Sequence, residues 1–132
     1  MIEKQFIEFQ SYLRNEKGLS AEFQRLGTGG YLVTVKNVPI RNGWNRSLVD
    51  VLFVAPPGYP AARPDCFWVS PQLRLANGMM PQNANDASPI QGDPLPGRPV
   101  TWFSWHLQIW DPNLSDLMTF YGAIMKRLIP AR

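Results

Sequence analysis

Two strand-like segments separated by a proline-rich turn restrict the possible folds of this chain. Residues 47–56, SLVDVLFVAP, are almost continuously apolar, which is typical of a strand at the centre of a sheet. The turn PPGYPAARP follows at 56–64, and DCFWVSP at 65–71 predicts another strand. Proline fixes the backbone angle φ and has no N–H to donate, so strands end where prolines begin. The segment therefore predicts two neighbouring strands in a sheet.

One helical pattern and two shorter strand patterns precede this pair. Residues 3–17 predict a helix that ends at Gly18. Residues 22–26 and 31–38 predict two strands on either side of the turn GTGG. The apolar positions that recur at helical spacing are Ile2, Phe6, Phe9 and Leu13. The first half of the chain is therefore expected to form a helix followed by an antiparallel meander of four strands.

The second half begins with an irregular stretch and ends with another helical pattern. Residues 76–100 contain five prolines and almost no periodicity, so they predict either a functional loop or a plain surface insertion. A second helix is predicted after this loop, with Asn113 or Ser115 as its cap. Its apolar face consists of Leu114, Leu117, Met118, Tyr121, Met125 and Leu128. Residues 1–132 are expected to form a single α+β domain.

Composition argues against several classes of function. Cys66 and His106 are the only residues of their types, so we expect no internal disulfide and no metal site, and we predict no cofactor. The net charge is +3 and the arginines are scattered, which argues against nucleic-acid binding. No apolar run is long enough to span a membrane, and the N-terminal residues MIEKQFIEFQ do not resemble a signal peptide. A cytoplasmic protein without membrane contact is expected.

The segment TWFSWHLQIWDPNLSDL, residues 101–117, carries the candidate chemistry. In an extended chain, Ser104 and His106 project to the same side, whereas in a helix they point roughly 200° apart. The alternation favours the extended form, although the spacing of Phe103, Leu107 and Trp110 also suits a helix. Histidine has a reference pKa of about 6.5 and suits a general base for a serine hydroxyl. Asp111 or Asp116 is the candidate to orient His106.

The apolar face of the extended form would carry Phe103, Trp105, Leu107 and Ile109. Two structural interpretations compete with the catalytic one. A Ser-x-His pair arises often by chance, and a histidine among tryptophans often serves only packing. Cys66 lies in an apolar stretch of the predicted fourth strand, where a free cysteine behaves as a small hydrophobe. We therefore interpret Cys66 as a core residue and prefer Ser104 as the nucleophile.

The order of these motifs resembles the ubiquitin-conjugating-enzyme (UBC) superfamily. Its members carry a Tyr-Pro-x-x-x-Pro turn before the fourth strand, which Tyr59–Pro64 matches. They also carry a Trp-x-Pro motif that opens a second helix, as in Trp110-Asp111-Pro112. More narrowly, the aromatic-rich Ser-x-His before that tryptophan is similar to the bacterial branch known as prokaryotic family E. The resemblance covers almost the whole chain and implies a UBC-like fold.

The sequence departs from conventional members of the superfamily in three ways. There is no cysteine in the segment upstream of Trp110, where those enzymes carry one. There is no His-Pro-Asn motif, and Pro81-Gln82-Asn83 is at best a faint echo of it. The C-terminal helices that usually follow the second helix are expected to be missing. In conventional members the asparagine of that motif is assigned an oxyanion-stabilising role, which therefore cannot be transferred to this chain.

The resemblance implies a carrier in bacterial ubiquitin-like conjugation. Such a protein would accept a ubiquitin-like protein from an activating enzyme, here as an oxyester on Ser104 with His106 as the base. The first helix, with Lys4 and Arg14, would help to dock the activating enzyme, and the 76–100 loop would cover or border the site. A deubiquitinase-like peptidase is a further candidate partner. Residues expected to support the site are Trp102, Trp105, Trp110 and Asp111.

Two other functions stay open at this point. The first is a catalytically silent UBC-like adaptor that binds a ubiquitin-like protein or an activating enzyme. The missing cysteine favours it, and a covalent adduct would distinguish the two. The second is a nucleic-acid binder that stacks bases on exposed tryptophans, which would show salt-sensitive binding to single strands.

Overall fold

Two helices pack on one face of a six-stranded antiparallel sheet in the computed structural model, which describes residues 2–132. In chain order the elements are α1 (Ile2–Tyr12), β1 (Ser20–Arg25), β2 (Tyr31–Pro39), β3 (Leu48–Ala55), β4 (Phe67–Ser70), β5 (Ala84–Asn85), β6 (Thr101–Phe103) and α2 (Leu117–Leu128). The predicted α+β class, with a helix before the sheet and another after it, is confirmed. Over residues 2–132, neither helix has the length and apolar character needed to cross a membrane.

The first helix ends where the sequence predicts, through a widened last turn. α1 continues into a π-helical turn, Leu13–Lys17, and Gly18 follows with a φ of 66°. Glycine adopts this left-handed conformation without the steric cost that a Cβ atom imposes. The backbone N–H of Gly18 donates to the carbonyl of Leu13, and so does that of Leu19. The chain is thereby turned from the helix into β1.

The first four strands form the predicted antiparallel meander, and two further strands extend it. The order across the sheet is β1-β2-β3-β4-β6-β5. β6 pairs with β4 so that Trp102 lies opposite Trp68, and β5 pairs with the other edge of β6. The prediction of four strands was therefore too few. Strands of two and three residues are too short to show a period-two pattern that could reveal them.

The main core lies between the sheet and the two helices. Alternate residues of β2 and β3 face it because successive side chains of a strand point to opposite faces. Phe9 of α1 and Phe120 of α2 both contact the ring of Phe53 at the centre of this core. The fully buried residues of the core include Phe9, Leu13, Val33, Val35, Val51, Phe53, Phe67, Val69, Phe103, Phe120, Ile124 and Leu128.

The proline-rich segment covers the opposite face of the sheet. Leu32 and Leu52 point away from the helices and form a smaller cluster with Ile90 and Val100 of that segment. The indole N–H of Trp68 donates to the carbonyl of Ser88 across 2.7 Å. The predicted loop over 76–100 therefore contains β5 and buries the part of the outer face that carries Leu32 and Leu52.

The second helix begins later than predicted. Asp116 is its N-cap: the carboxylate accepts from the Thr119 backbone N–H at 3.0 Å, and the Thr119 hydroxyl interacts with the Asp116 backbone N–H in return. The predicted caps, Asn113 and Ser115, were wrong. Residues 111–115 form a separate turn, because the N–H groups of Leu114 and Ser115 both donate to the carbonyl of Asp111. Leu114, predicted on the apolar helix face, is 80% exposed in this turn.

Candidate active site

The end of strand β6 positions Ser104 at the rim of the sheet. Phe103, the last residue of β6, is fully buried and stacks on Phe67 with ring centroids 4.8 Å apart. Ser104 follows as a half-buried residue, and its backbone N–H donates to the carbonyl of Asn83 across 2.9 Å. The early part of the 76–100 segment thus borders Ser104, whereas its later part lies on the outer face of the sheet.

Ser104 and His106 lie side by side at this rim. The Ser104 Oγ atom is 3.4 Å from the Nε2 atom of His106. The chain from 104 to 107 is not helical, so residues two positions apart still project to the same side, as the extended interpretation requires. The apolar alternation ends at Ile109, which is 84% exposed.

Asp65, which was not among the predicted site residues, is the third member of the group. The Nδ1 atom of His106 hydrogen-bonds to the Oδ1 atom of Asp65, 41 residues earlier in the chain. The backbone brings them together, because the N–H of Cys66 donates to the carbonyl of Trp105 across 2.9 Å. No local pattern marks Asp65, since its partner is reached only by pairing β4 with the chain that carries His106.

Asp111 and Asp116, which were expected to orient His106, instead form local hydrogen bonds before and at the start of α2. The Oδ1 atom of Asp111 accepts from the backbone N–H of Asn113 at 2.9 Å and shapes the turn before α2. Asp116 caps α2. The prediction that one of these two orients His106 was wrong, because local turn and cap contacts occupy both carboxylates.

The three side chains form an ordered Ser–His–Asp arrangement. A carboxylate can only accept, so a hydrogen bond with Asp65 places the imidazole proton on Nδ1. The lone pair of neutral His106 is then on Nε2, the atom that faces the Ser104 hydroxyl. The side chains of Asp65 and His106 are each 59% exposed, so a large substrate has access to the arrangement. Its chemical capacity is proton abstraction from a serine hydroxyl.

Cys66 lies beneath this group. It precedes β4 by one residue, with a φ of 61°, instead of lying within the strand as predicted. Only 8% of the residue is exposed. Burial raises the pKa of the Cys66 thiol and the Asp65 carboxylate raises it further, while hydrogen bonds with the Trp105 backbone and the Trp102 side chain lower it. A thiol held protonated in this way is a weak nucleophile.

Three tryptophans frame the segment. The indole N–H of Trp105 donates to the carbonyl of Ala123 across 3.1 Å, which ties the segment to α2. The indole N–H of Trp110 donates to the carbonyl of Pro60 across 2.8 Å. Trp102 lies on β6 opposite Trp68. Trp105 and Trp110 therefore anchor both ends of the segment that carries His106, and Asp111 supports only the turn beyond it.

Three side chains at this rim carry atoms that ligate metals. One ligand atom each of Asp65, Cys66 and His106 lies within 4.8 Å of the other two. The composition argued against a metal site because the chain has one histidine and one cysteine. Composition does not show that a carboxylate from a distant part of the chain lies beside them.

A groove of about 500 Å³ opens beside His106, between the 105–109 segment and α2. Its lining includes Trp105, Leu107, Met118, Gly122, Ala123 and Lys126. A larger cavity of about 660 Å³ lies between the end of β2 and α2, and none of the Ser–His–Asp side chains lines it. The smaller groove is the one that the candidate chemistry can use, because His106 itself forms part of its wall.

Comparison with known proteins identifies the family. The family model described as Prokaryotic E2 family E matches residues 8–131. Comparisons with curated proteins and with solved structures found no significant match. The family match begins within α1 and covers the sheet, α2 and the Ser–His–Asp arrangement. The predicted family is therefore confirmed: the chain belongs to prokaryotic E2 family E.

Proposed function

We propose that this protein carries a ubiquitin-like protein, which it accepts from an activating enzyme as an oxyester on Ser104. Membership of an E2-like family supports the general carrier role. The observation that supports the chemistry is the 3.4 Å approach of Ser104 Oγ to His106 Nε2, with Asp65 on the other imidazole nitrogen. The arrangement of helices and sheet is consistent with a UBC-like fold acting as a single domain.

The transfer step is a transesterification. The Oγ atom of Ser104 attacks the carbonyl carbon of the thioester that joins the ubiquitin-like protein to the activating enzyme. His106 Nε2 takes the hydroxyl proton as the new C–O bond forms. The C–S bond breaks, and the departing thiolate receives the proton from His106. The products are an oxyester on Ser104 and a free thiol on the activating enzyme, without any oxidation or reduction.

Asp65 and the groove have separate roles in this scheme. The Asp65 carboxylate holds the imidazole in the required tautomer and stabilises the imidazolium that forms during transfer. The groove beside His106 gives the extended C-terminal segment of the ubiquitin-like protein a path to Ser104. Lys126 in its wall offers a cation for a polar group of that segment.

The partners in this proposal are the ubiquitin-like protein and its activating enzyme. Lys4 and Arg14 are exposed on α1 and on the π-helical turn that follows it. They are the proposed contacts for an acidic surface of the activating enzyme. A deubiquitinase-like peptidase is not part of the proposal, because no comparison supports one. Cytoplasmic localisation stays a prediction.

The test is intact-mass spectrometry after incubation with a cognate activating enzyme, its ubiquitin-like protein and ATP. The expected adduct resists a thiol reductant, is cleaved by mild base and maps to Ser104. Ser104→Ala should abolish it, whereas Cys66→Ala should retain it. An adduct that is cleaved by thiol, or that survives Ser104→Ala, would contradict the assignment of Ser104.

The same experiment separates a carrier from an adaptor. If the activating enzyme is charged and binds this protein measurably, yet no adduct forms, the protein is a silent adaptor. Ser104 and His106 would then serve packing and hydrogen bonding alone.

A further inference from the structure

We propose that Asp65, Cys66 and His106 form a binding site for Zn²⁺. The site would use one carboxylate oxygen, one thiolate sulfur and one imidazole nitrogen, with a fourth position open to solvent. This inference goes beyond the proposed carrier function, because metal binding requires neither Ser104 nor any transfer step.

The geometry is close to that of a zinc site. The three ligand atoms lie within 4.8 Å of one another. Zinc binds sulfur at ~2.3 Å and nitrogen or oxygen at ~2.0–2.2 Å, so its ligand atoms in a tetrahedron are ~3.3–3.6 Å apart. The most widely separated pair would close by at most about 1–1.5 Å, whereas Asp65 Oδ1 and His106 Nδ1, which are joined by a hydrogen bond, would move slightly apart. The exposed side chains of Asp65 and His106 are free to supply this movement by rotation.

The backbone already holds the three ligands in register. Asp65 and Cys66 are consecutive, and Cys66 has a left-handed conformation with a φ of 61°. The hydrogen bond from the Cys66 N–H to the Trp105 carbonyl places this bend directly beside His106. The indole of Trp105 is in turn held by α2. The site therefore rests on a main-chain contact between the residue that precedes β4 and the segment that follows β6.

The mixture of ligands selects the metal. Mg²⁺ and Ca²⁺ prefer oxygen ligands and gain little from sulfur. Thiolate and imidazole suit Zn²⁺, and three protein ligands with an open fourth position are the arrangement of an accessible zinc site. A thiolate and a carboxylate together neutralise the two charges of the ion. Cys66 forms the buried floor, and the other two ligands lie at the solvent side.

Occupancy of this site would oppose the proposed chemistry of Ser104, a consequence that rests on the proposed function. The nitrogen of His106 that faces Asp65 is Nδ1. With the metal on Nδ1, a neutral imidazole carries its proton on Nε2 and has no lone pair for the Ser104 hydroxyl. The metal would also take the Asp65 carboxylate away from the imidazole. Zinc is therefore expected to inhibit formation of the oxyester.

The decisive experiment is a titration of the full, metal-free protein with Co²⁺, a spectroscopic substitute for zinc. The wild type should show thiolate-to-cobalt absorption in the near ultraviolet and the visible bands of four-coordinate cobalt. Added Zn²⁺ should displace Co²⁺ and thereby abolish both absorption signals. Asp65→Asn and His106→Gln should weaken Co²⁺ binding by at least ~10-fold, the lower limit when even an indirect partner of a metal ligand is lost.

Ser104→Ala is the matched control, because it alters the same rim without removing a ligand. It should bind Co²⁺ as the wild type does, even though the proposed function predicts that it forms no oxyester. Failure of one proposal is thereby distinguishable from failure of the other. Cys66→Ala should lose the ultraviolet absorption, but Cys66 is buried, so the two exposed variants decide the matter if that variant unfolds.

Three results would overturn the site. The first is the absence of thiolate absorption at saturating Co²⁺. The second is equal affinity of the wild type, Asp65→Asn and His106→Gln, which would indicate adventitious surface binding. The third is loss of Co²⁺ binding in a folded Ser104→Ala variant, which would mean that the ligands were wrongly assigned.

Discussion

At the residue scale, Asp65 is the side chain that determines which nitrogen of His106 faces Ser104 without a proton. Serine and histidine two positions apart are common, and alone they do not determine which imidazole nitrogen carries the proton. The carboxylate on Nδ1 settles this and leaves Nε2 toward Ser104. Asp65 is therefore the residue whose replacement tests the arrangement with the least change in shape.

Asp65→Asn should slow formation of the Ser104 adduct by about 10²-fold, at the low end of the range for general-base catalysis because the pair is exposed. The amide removes the negative charge that stabilises the imidazolium and allows the wrong tautomer. The rate is measured by intact-mass spectrometry over time. Asp111→Asn is the control: its side-chain oxygen still accepts in the turn, and its rate should equal that of the wild type. Equal rates for both variants would remove Asp65 from the mechanism.

The contact between Asp86 and Arg74 also acts at the scale of single residues. The Arg74 guanidinium donates to Asp86 and, with the Thr101 hydroxyl, holds the pKa of the Asp86 carboxyl below its usual value of 3.8. A carboxyl whose pKa is lowered by folding stabilises the protein above its unfolded pKa. That contribution is lost as the pH falls through the pKa of the folded state.

Stability should therefore decline on acidification from about pH 4 downward, and part of this decline belongs to Asp86. Asp86→Asn should be less stable than the wild type at neutral pH but show a shallower loss below pH 4. Urea unfolding at a series of pH values measures both effects. Parallel curves for the two proteins would show that Asp86 contributes nothing to the acid dependence.

At the scale of elements, α2 depends on a cap that the sequence pattern misplaced. Several capping residues stand close together before this helix, and any of them could begin it by composition alone. In the preceding turn the Ser115 hydroxyl accepts from the Asp111 backbone N–H, whereas the Asp116 carboxylate accepts from the Thr119 backbone N–H at the start of the helix. The cap matters to the candidate site because α2 holds the Trp105 indole.

Asp116→Ala should cost about 1 kcal/mol of unfolding free energy, the usual effect of losing a helix cap. Asn113→Ala, at a position predicted as the cap, should change stability by less than about 0.5 kcal/mol, as surface substitutions usually do. Asp116→Asn should restore most of the loss. Urea denaturation of the three variants measures the difference, and equal losses at 113 and 116 would contradict the assigned cap.

At the scale of the whole molecule, the sheet is covered on both faces, although the outer side of the edge strand β1 stays exposed. The helices cover one face, and the proline-rich segment covers the other with Ile90 and Val100. This segment has almost no regular structure, yet it pairs with β6 through β5 and packs against Leu52. Its contribution is therefore to complete the fold around the strand that leads to Ser104.

Ile90→Ala should destabilise the protein by about 2 kcal/mol, the lower end for truncating a buried isoleucine, because the outer cluster is small. Leu95→Ala is the matched control, since Leu95 lies in the same segment but is 54% exposed. It should change the free energy by less than about 0.5 kcal/mol. Thermal or urea unfolding compares the two, and equal effects would show that the segment does not pack as described.

The features that depend on neighbouring residues could be predicted from the sequence. Helical spacing up to Gly18 placed α1, and strand-like runs bounded by the turn GTGG and by prolines placed the four strands of the meander. Alternation along the chain also put Ser104 and His106 on one side. These predictions succeeded because periodicity and turn chemistry act over a few residues, where the backbone alone decides which way side chains point.

The meeting of groups that are distant along the chain follows from the packing of the whole fold. Asp65 reaches His106 across 41 residues, and the two-residue strand β5 exists because β6 offers an edge to pair with. The same packing placed Cys66 beneath the pair and assigned the cap of α2 to Asp116. Such contacts depend on how the strands of the sheet are assembled and on which side chains are already hydrogen-bonded in local turns. The order of residues along the chain does not show which distant side chains lie close together in the folded protein.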